Sequence, residues 1–155
     1  MQRTENLRIR SANAADANEL LAIRRDAIMA LAEEYGRVAA ERWANAAHPD
    51  RAAKAIATNG VWVTEFGSKV VGWVEVSGAT IESLYVSPAA QRLGVGSSLL
   101  THAERQIRDA GASIAHLDTS PHAEAFYARR GYSRVGEVEG NNSIPMSKRL
   151  DLSAV

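Results

Sequence analysis

Along this chain, stretches with apolar residues at helical spacing are separated by short stretches that alternate apolar and polar. Leu7-Arg8-Ile9-Arg10 reads as a short first strand. Ser11 to Asn13 supply a helix cap, and Leu20, Ile23, Ala27, Ile28 and Leu31 mark one face of a helix over Ala14–Leu31. Gly36 marks a break. A second helix is predicted over Val38–Ala46, and a shorter helical piece, not counted as a separate element, over Asp50–Thr58 after His48-Pro49. Asn59-Gly60 then turns the chain. Val61–Phe66, Val70–Val76 and Thr80–Val86 form an antiparallel meander, with Gly67-Ser68 and Ser77-Gly78 as tight turns. A long helix over Gly94–Ala110 ends at Gly111, and Ile114–Asp118 is the next strand. A helix over Pro121–Arg130 precedes two last strands, Tyr132–Val138 and Ile144–Leu150. The predicted order is β-α-α-β-β-β-α-β-α-β-β, an α/β chain.

The segment between the third meander strand and the long helix carries the strongest chemical signal. Pro88 lacks an N–H and stops the ladder, and Gln91-Arg92-Leu93-Gly94-Val95-Gly96-Ser97 follows. Gly94 and Gly96 remove side chains where the helix begins, so its first N–H groups and its dipole can face an anion such as a pyrophosphate. The alternative is a turn that merely caps the helix. A Walker loop would need a lysine after Gly96, and a dinucleotide fingerprint a third glycine where Leu99 stands. Neither is present.

Gln91-Arg92-Leu93-Gly94-Val95-Gly96 matches the pattern Gln/Arg-x-x-Gly-x-Gly/Ala and resembles the acyl-CoA-binding motif of the GNAT superfamily of N-acyltransferases. A second segment, Ser120-Pro121-His122-Ala123-Glu124-Ala125-Phe126-Tyr127-Ala128-Arg129-Arg130-Gly131-Tyr132, resembles the family's later motif, a short helix carrying Phe-Tyr and ending in Gly-Tyr/Phe. Ser120 suits an N-cap, Pro121 a first helical residue and Gly131 the left-handed C-terminal position. The two motifs stand in the family's order. The likeness extends weakly from Ile9-Arg10 to Met146-Ser147-Lys148-Arg149-Leu150.

The resemblance implies the GNAT fold, α/β with a mixed sheet, over residues 1–155 as one domain, with strands 4 and 5 parallel at the sheet's centre and splayed at one end. It implies acetyl-CoA as cosubstrate. Pantetheine would pair with the backbone of Leu84 and Val86, and the N–H groups from Arg92 through Ser97 would cradle the phosphates. Tyr127 would protonate the leaving thiolate; its other reading is a core aromatic with a hydroxyl at the surface. Glu82 is a general base acting through water or an exposed strand carboxylate, and Asp118 and His116 are weaker candidates for the same task. His122 stands where many relatives have an asparagine beside the cofactor. The acceptor expected is a primary amine of a small molecule or peptide, and a homodimer is one assembly the family uses. A module that binds acyl-CoA without turnover is the alternative function.

Composition narrows the remaining classes. Lys+Arg 18 balances Asp+Glu 18 in 155 residues, so no global field draws nucleic acid. Cysteine is absent, which removes disulfides, a thiolate nucleophile and cysteine-based zinc sites; with no cysteine to hold an acyl group, direct transfer is the natural choice for the mechanism the resemblance implies. His48, His102, His116 and His122 lack ligand spacing, so no metal is expected. No signal core and no membrane-spanning run is seen, and a cytoplasmic location is the expectation. Trp43, Trp62 and Trp73 read as core or groove-lining aromatics. Glu33, Glu34 and Tyr35 read as a solvated helix end or, by the resemblance, as an acceptor wall suited to a cationic amine.

Overall fold

A computed structural model describes residues 6–137 and 143–150. Its strands are β1 (Leu7–Ser11), β2 (Val61–Phe66), β3 (Lys69–Ser77), β4 (Thr80–Val86), β5 (Ile114–Thr119), β6 (Ser133–Arg134) and β7 (Ile144–Arg149), in the sheet order β1-β2-β3-β4-β5-β7-β6. The helices are α1 (Ala17–Met29), α2 (Ala32–Tyr35), α3 (Arg37–Ala44), α4 (Arg51–Ala57), α5 (Val95–Asp109) and α6 (Glu124–Ala128). Tertiary contacts divide the chain into two compact units. One holds the described residues up to Glu75 together with Ser83–Thr101, the other Val76–Glu82 together with the described residues from His102 onward.

In the first unit, β2 pairs antiparallel with β1 and with β3, and Val61, Val63 and Trp73 pack against Leu20, Ile23, Ala52 and Ile56 of the helices. Trp73 is buried, and its indole N–H donates to the Leu20 carbonyl at 3.0 Å. Leu20 is fully buried, so truncation to alanine should cost about 2–5 kcal/mol. Asn13 caps a 3-10 turn, Ala14–Asp16, through a reciprocal box with Asp16. The predicted first helix therefore begins as a tighter turn, and it stops at Met29 rather than Leu31. Gly36, at φ 88°, separates α2 from α3 as expected of the break.

Gly72 fixes where α5 can sit. A Cβ there would lie 2.8 Å from Val95 Cγ1, 3.2 Å from Leu99 Cδ1 and 3.2 Å from the Tyr85 carbonyl oxygen. Only glycine lets the first turns of α5 approach β3 this closely, and the loop before α5 is held in place as a result.

In the second unit, β5 pairs antiparallel with β7 (Leu117↔Met146) and parallel with the start of β4 (Thr80↔His116, Ile81↔Leu117). The parallel β4–β5 pair expected by resemblance is therefore present. Ala115, Leu117 and Thr119 alternate inward while Ile114, His116 and Asp118 lie exposed. The strand predicted over Tyr132–Val138 shrinks to Ser133–Arg134, and Val138 lies outside the described residues. The helix predicted over Pro121–Arg130 is a 3-10 turn, Pro121–Ala123, followed by α6.

Candidate active site

The glycine loop belongs to the first unit. Ser87 leaves the strand with its N–H on the Val71 carbonyl at 2.8 Å, and Pro88–Ala90 form a 3-10 turn. Adjacent strand residues direct their backbone groups to opposite edges. The carbonyl of Val86, and by alternation that of Leu84, therefore turns away from β3. On that edge the Gln91 side-chain amide donates to the Val86 carbonyl at 3.4 Å, bracing the loop against the strand. Leu84 and Val86 are half-buried.

Two residues of the loop are left-handed: Arg92 at φ 71° and Gly94 at φ 80°. For arginine this conformation costs about 1–2 kcal/mol, which the surrounding fold must supply. Left-handed residues in a turn make successive N–H groups converge into an anion-binding concavity. Leu93 is half-buried and Val95 fully buried, so the loop's apolar side chains anchor it while Gln91, Arg92 and Gly94 face solvent. The first bond of α5 runs from Ser98 N–H to the Gly94 carbonyl at 3.0 Å, leaving the N–H groups of Val95 and Gly96 ahead of the helical ladder. The first turn contains no acidic side chain, and a Cβ at Gly94 would meet nothing within 4 Å. Backbone N–H groups border this opening, and no carboxylate of the first turn enters it.

A carboxylate network in the same unit has no counterpart among the expected site residues. Glu75 of β3 is buried and accepts from Arg51 Nη2 at 2.7 Å, Arg51 Nη1 at 3.3 Å and Ser83 Oγ at 3.3 Å. Trp73 and Tyr85 share this face, with ring centroids 5.5 Å apart, and the Arg24 guanidinium lies 5.9 Å from the Tyr85 centroid. Residues 83 and 85 face this side, so strand alternation turns Glu82 to the other.

The second unit holds Glu82, His122 and Tyr127. Glu82 and His122 are exposed, whereas Tyr127 is 8% exposed, a buried ring compatible with both readings of this residue. The Tyr127 ring meets Phe126 edge-on at 5.0 Å and Tyr132 at 5.8 Å. Phe126 is only half-buried and lies under the Arg130 guanidinium at 3.9 Å. Ser120 has the extended backbone of an N-cap without a side-chain cap bond; its carbonyl instead accepts the Ala123 N–H at 3.1 Å and closes the turn.

Gly131, at φ 98°, ends α6 as predicted, and it builds a Schellman turn. Its N–H donates to Ala128 at 3.2 Å, and the Tyr132 N–H donates back to the Tyr127 carbonyl at 3.1 Å. The side chains at those two positions are the ones such a turn brings together. The Tyr132 hydroxyl then donates to Glu104 Oε2 at 2.9 Å, and Lys148 Nζ donates to Glu104 Oε1 at 3.0 Å. Burial, with the Glu104 carboxylate beside it, pushes the Tyr132 hydroxyl well above the usual tyrosine range, so it stays a proton donor. Glu104 and Lys148 carry no sequence signal that distinguishes them from solvated surface charges.

Residues 31–150 match the family model for the acetyltransferase (GNAT) domain. The chain belongs to the GNAT family of acetyltransferases. The fold agrees: a crystal structure of a GCN5-related N-acetyltransferase (aminotransferase, class-II) from Rhodopseudomonas palustris superposes with a TM-score of 0.82 at 27% identity, covering 92% of this chain and 95% of that one. YncA, a putative acetyltransferase from Salmonella typhimurium solved with acetyl-CoA, gives a TM-score of 0.71 at 22% identity over 97% of both chains. PaiA N-acetyltransferase from Thermoplasma acidophilum, solved with coenzyme A, gives 0.77 at 18% identity over 92% of this chain and 98% of that one. In sequence, the chain is 33% identical over 92 residues to the tRNA(Met) cytidine acetyltransferase TmcA of Aeropyrum pernix, covering 55% of this chain. It spans 12% of that relative's length. As a GNAT member the protein belongs to an acetyl-CoA-dependent family whose enzymes acetylate amine acceptors. Among the described residues, no helix is long and apolar enough to cross a membrane.

Proposed function

We propose that this protein transfers the acetyl group of acetyl-CoA directly to a primary amine of a small molecule or peptide. The observation that carries this reading is the loop ahead of α5, with its left-handed Arg92 and Gly94, the open space at Gly94 and a first helical turn without acidic residues. These residues fit a pyrophosphate. Gln91, Arg92, Leu93, Gly94, Val95, Gly96 and Ser97 hold it, and the backbone of Leu84 and Val86 meets the pantetheine amides. His122 is a further cosubstrate contact.

Acetyl-CoA supplies the acyl group as a thioester, in which a C–N bond to the acceptor replaces the C–S bond. Tyr127 delivers its hydroxyl proton to the departing sulfur, and its phenolate recovers the proton that the newly acylated nitrogen loses. Glu82 takes the surplus proton of the acceptor ammonium through water, which its exposure allows. With no cysteine in the chain, no thiol is available to hold the acyl group. Tyr127 and Glu82 thus divide the proton transfers, and the loop supplies orientation.

The test is thiol release from acetyl-CoA across a panel of amines. Because the chain has no cysteine, a thiol reagent reports only CoA. Amine-dependent release supports transfer. Acetyl-CoA binding without release with any amine would instead describe a sensor or regulatory module.

A further inference from the structure

The Tyr132–Glu104–Lys148 network has a buried tyrosine and two half-buried charged partners, lies in the second unit and has no task in the chemistry above. Its free end, the Tyr132 ring, touches Tyr127. We propose that Tyr132 is a positioning residue: anchored by Glu104 and Lys148, it holds the Tyr127 ring in the orientation from which its hydroxyl gives up a proton. The proposal rests on the reading of Tyr127 as the acid.

The geometry supplies the argument. Tyr127 and Tyr132 occupy the two ends of the Schellman turn, so one backbone bond, Tyr132 N–H to the Tyr127 carbonyl at 3.1 Å, already ties them. Their rings meet edge-on, with centroids 5.8 Å apart and planes at 74°. An edge-on contact is directional, because the positive rim of one ring sits on the negative face of the other, and a rotation of either ring weakens it. Tyr132 can resist rotation of Tyr127 only as far as Tyr132 itself is fixed. Tyr132 is 3% exposed, and its hydroxyl bond to Glu104 is charge-assisted, the stronger class of hydrogen bond. Glu104 cannot swing away, since its second oxygen is held by Lys148 on β7. Gly131 brings the chain against that lysine: a Cβ there would lie 3.3 Å from Lys148 Cε. A phenylalanine at 132 would bury the same ring and satisfy the core, but only a tyrosine carries the anchor.

A structural role alone would predict that losing the hydroxyl lowers stability and leaves the chemistry untouched. A double-mutant cycle separates the two. Tyr132→Phe in the wild-type background is expected to lower kcat by about tenfold, a coupling within the range seen for residues in contact, with the acetyl-CoA KM unchanged. In the Tyr127→Phe background the same substitution should change kcat by less than about twofold, because no proton donor is left to orient. Glu104 gives a second route if the tyrosine variant folds poorly. Glu104→Gln keeps an acceptor for the hydroxyl and should retain most of kcat, while Glu104→Leu removes the acceptor and should reproduce the Tyr132→Phe loss. Equal losses from Tyr132→Phe in both backgrounds, or equal kcat for Glu104→Gln and Glu104→Leu, would overturn the positioning role and leave the acid reading intact. Wild-type turnover by Tyr127→Phe would overturn the acid reading itself, and this proposal with it.

Discussion

Replacing Gly94 by glutamate tests the loop through two separable effects. The first is conformational. Gly94 sits at φ 80°, where an L-residue costs about 1–2 kcal/mol, but its Cβ would enter open space, so nothing has to move. The fold should survive with a melting temperature lowered by about 2–8 °C. The second effect is electrostatic. A carboxylate reaching into the anion site would stand about 4 Å from a phosphate charge, a repulsion of about 1 kcal/mol in bulk water and about 4 kcal/mol at the effective dielectric of a protein surface. Salt screens part of this, so we expect acetyl-CoA affinity to fall by at least about tenfold, or about 1.4 kcal/mol. Gly94→Asn is the control, since asparagine tolerates the left-handed region and adds no charge. It should lose less than Gly94→Glu. Calorimetric titration of both folded variants with acetyl-CoA, at low and moderate salt, measures the two terms. Unchanged affinity in Gly94→Glu would refute the assignment of this loop to the pyrophosphate.

Three further expectations follow from the same geometry. Tyr127→Phe removes one oxygen from a buried ring, so folding and acetyl-CoA affinity should stay near wild type while turnover drops by about 10²-fold, read by steady-state thiol release. Glu82→Gln should lower kcat/KM by about 10²-fold at neutral pH and recover partly in alkaline buffer, where more of the amine is already neutral; a uniform loss across pH would return Glu82 to an exposed strand carboxylate. Asp16 is buried, and its hydrogen bonds from Arg10 at 2.9 and 3.1 Å hold its carboxyl below the usual range. Its contribution is therefore complete above the unfolded-state pKa and fades as pH falls through the lower folded value. Asp16→Asn should cost about 1.5–3 kcal/mol near neutral pH, and denaturant melts should show that gap closing below about pH 4.

Local chemistry made much of this fold legible in the sequence. Gly36, Gly67, Gly78, Gly111 and Gly131 all adopt positive φ at the breaks their positions suggested, and the strand periods placed β2, β3, β4, β5 and β7 within a residue or so at each end. Long-range contacts were not legible. Glu104 and Lys148 are 44 positions apart, and nothing local marks them as one half-buried pair. Glu75 and Arg51 are 24 apart and read singly as surface charges. Arg92 was hidden for another reason: arginine has no preference for the left-handed region, so its φ is imposed by the turn around it. Ser120 had the right type for a cap, but the turn closed through its carbonyl instead. Tyr127 was marked by its motif, yet only the fold buries it against Tyr132.

The central claim is direct acetyl transfer, and the fate of the acyl group tests it most directly. The protein is incubated with acetyl-CoA labelled in the acetyl group and with an amine that drives thiol release, and the label is followed by mass spectrometry. The account predicts one labelled N-acetyl amine for each CoA released, with no label covalently attached to the protein at any time in a single turnover. Label held covalently on the chain, or released as acetate with the amine unmodified, would contradict it.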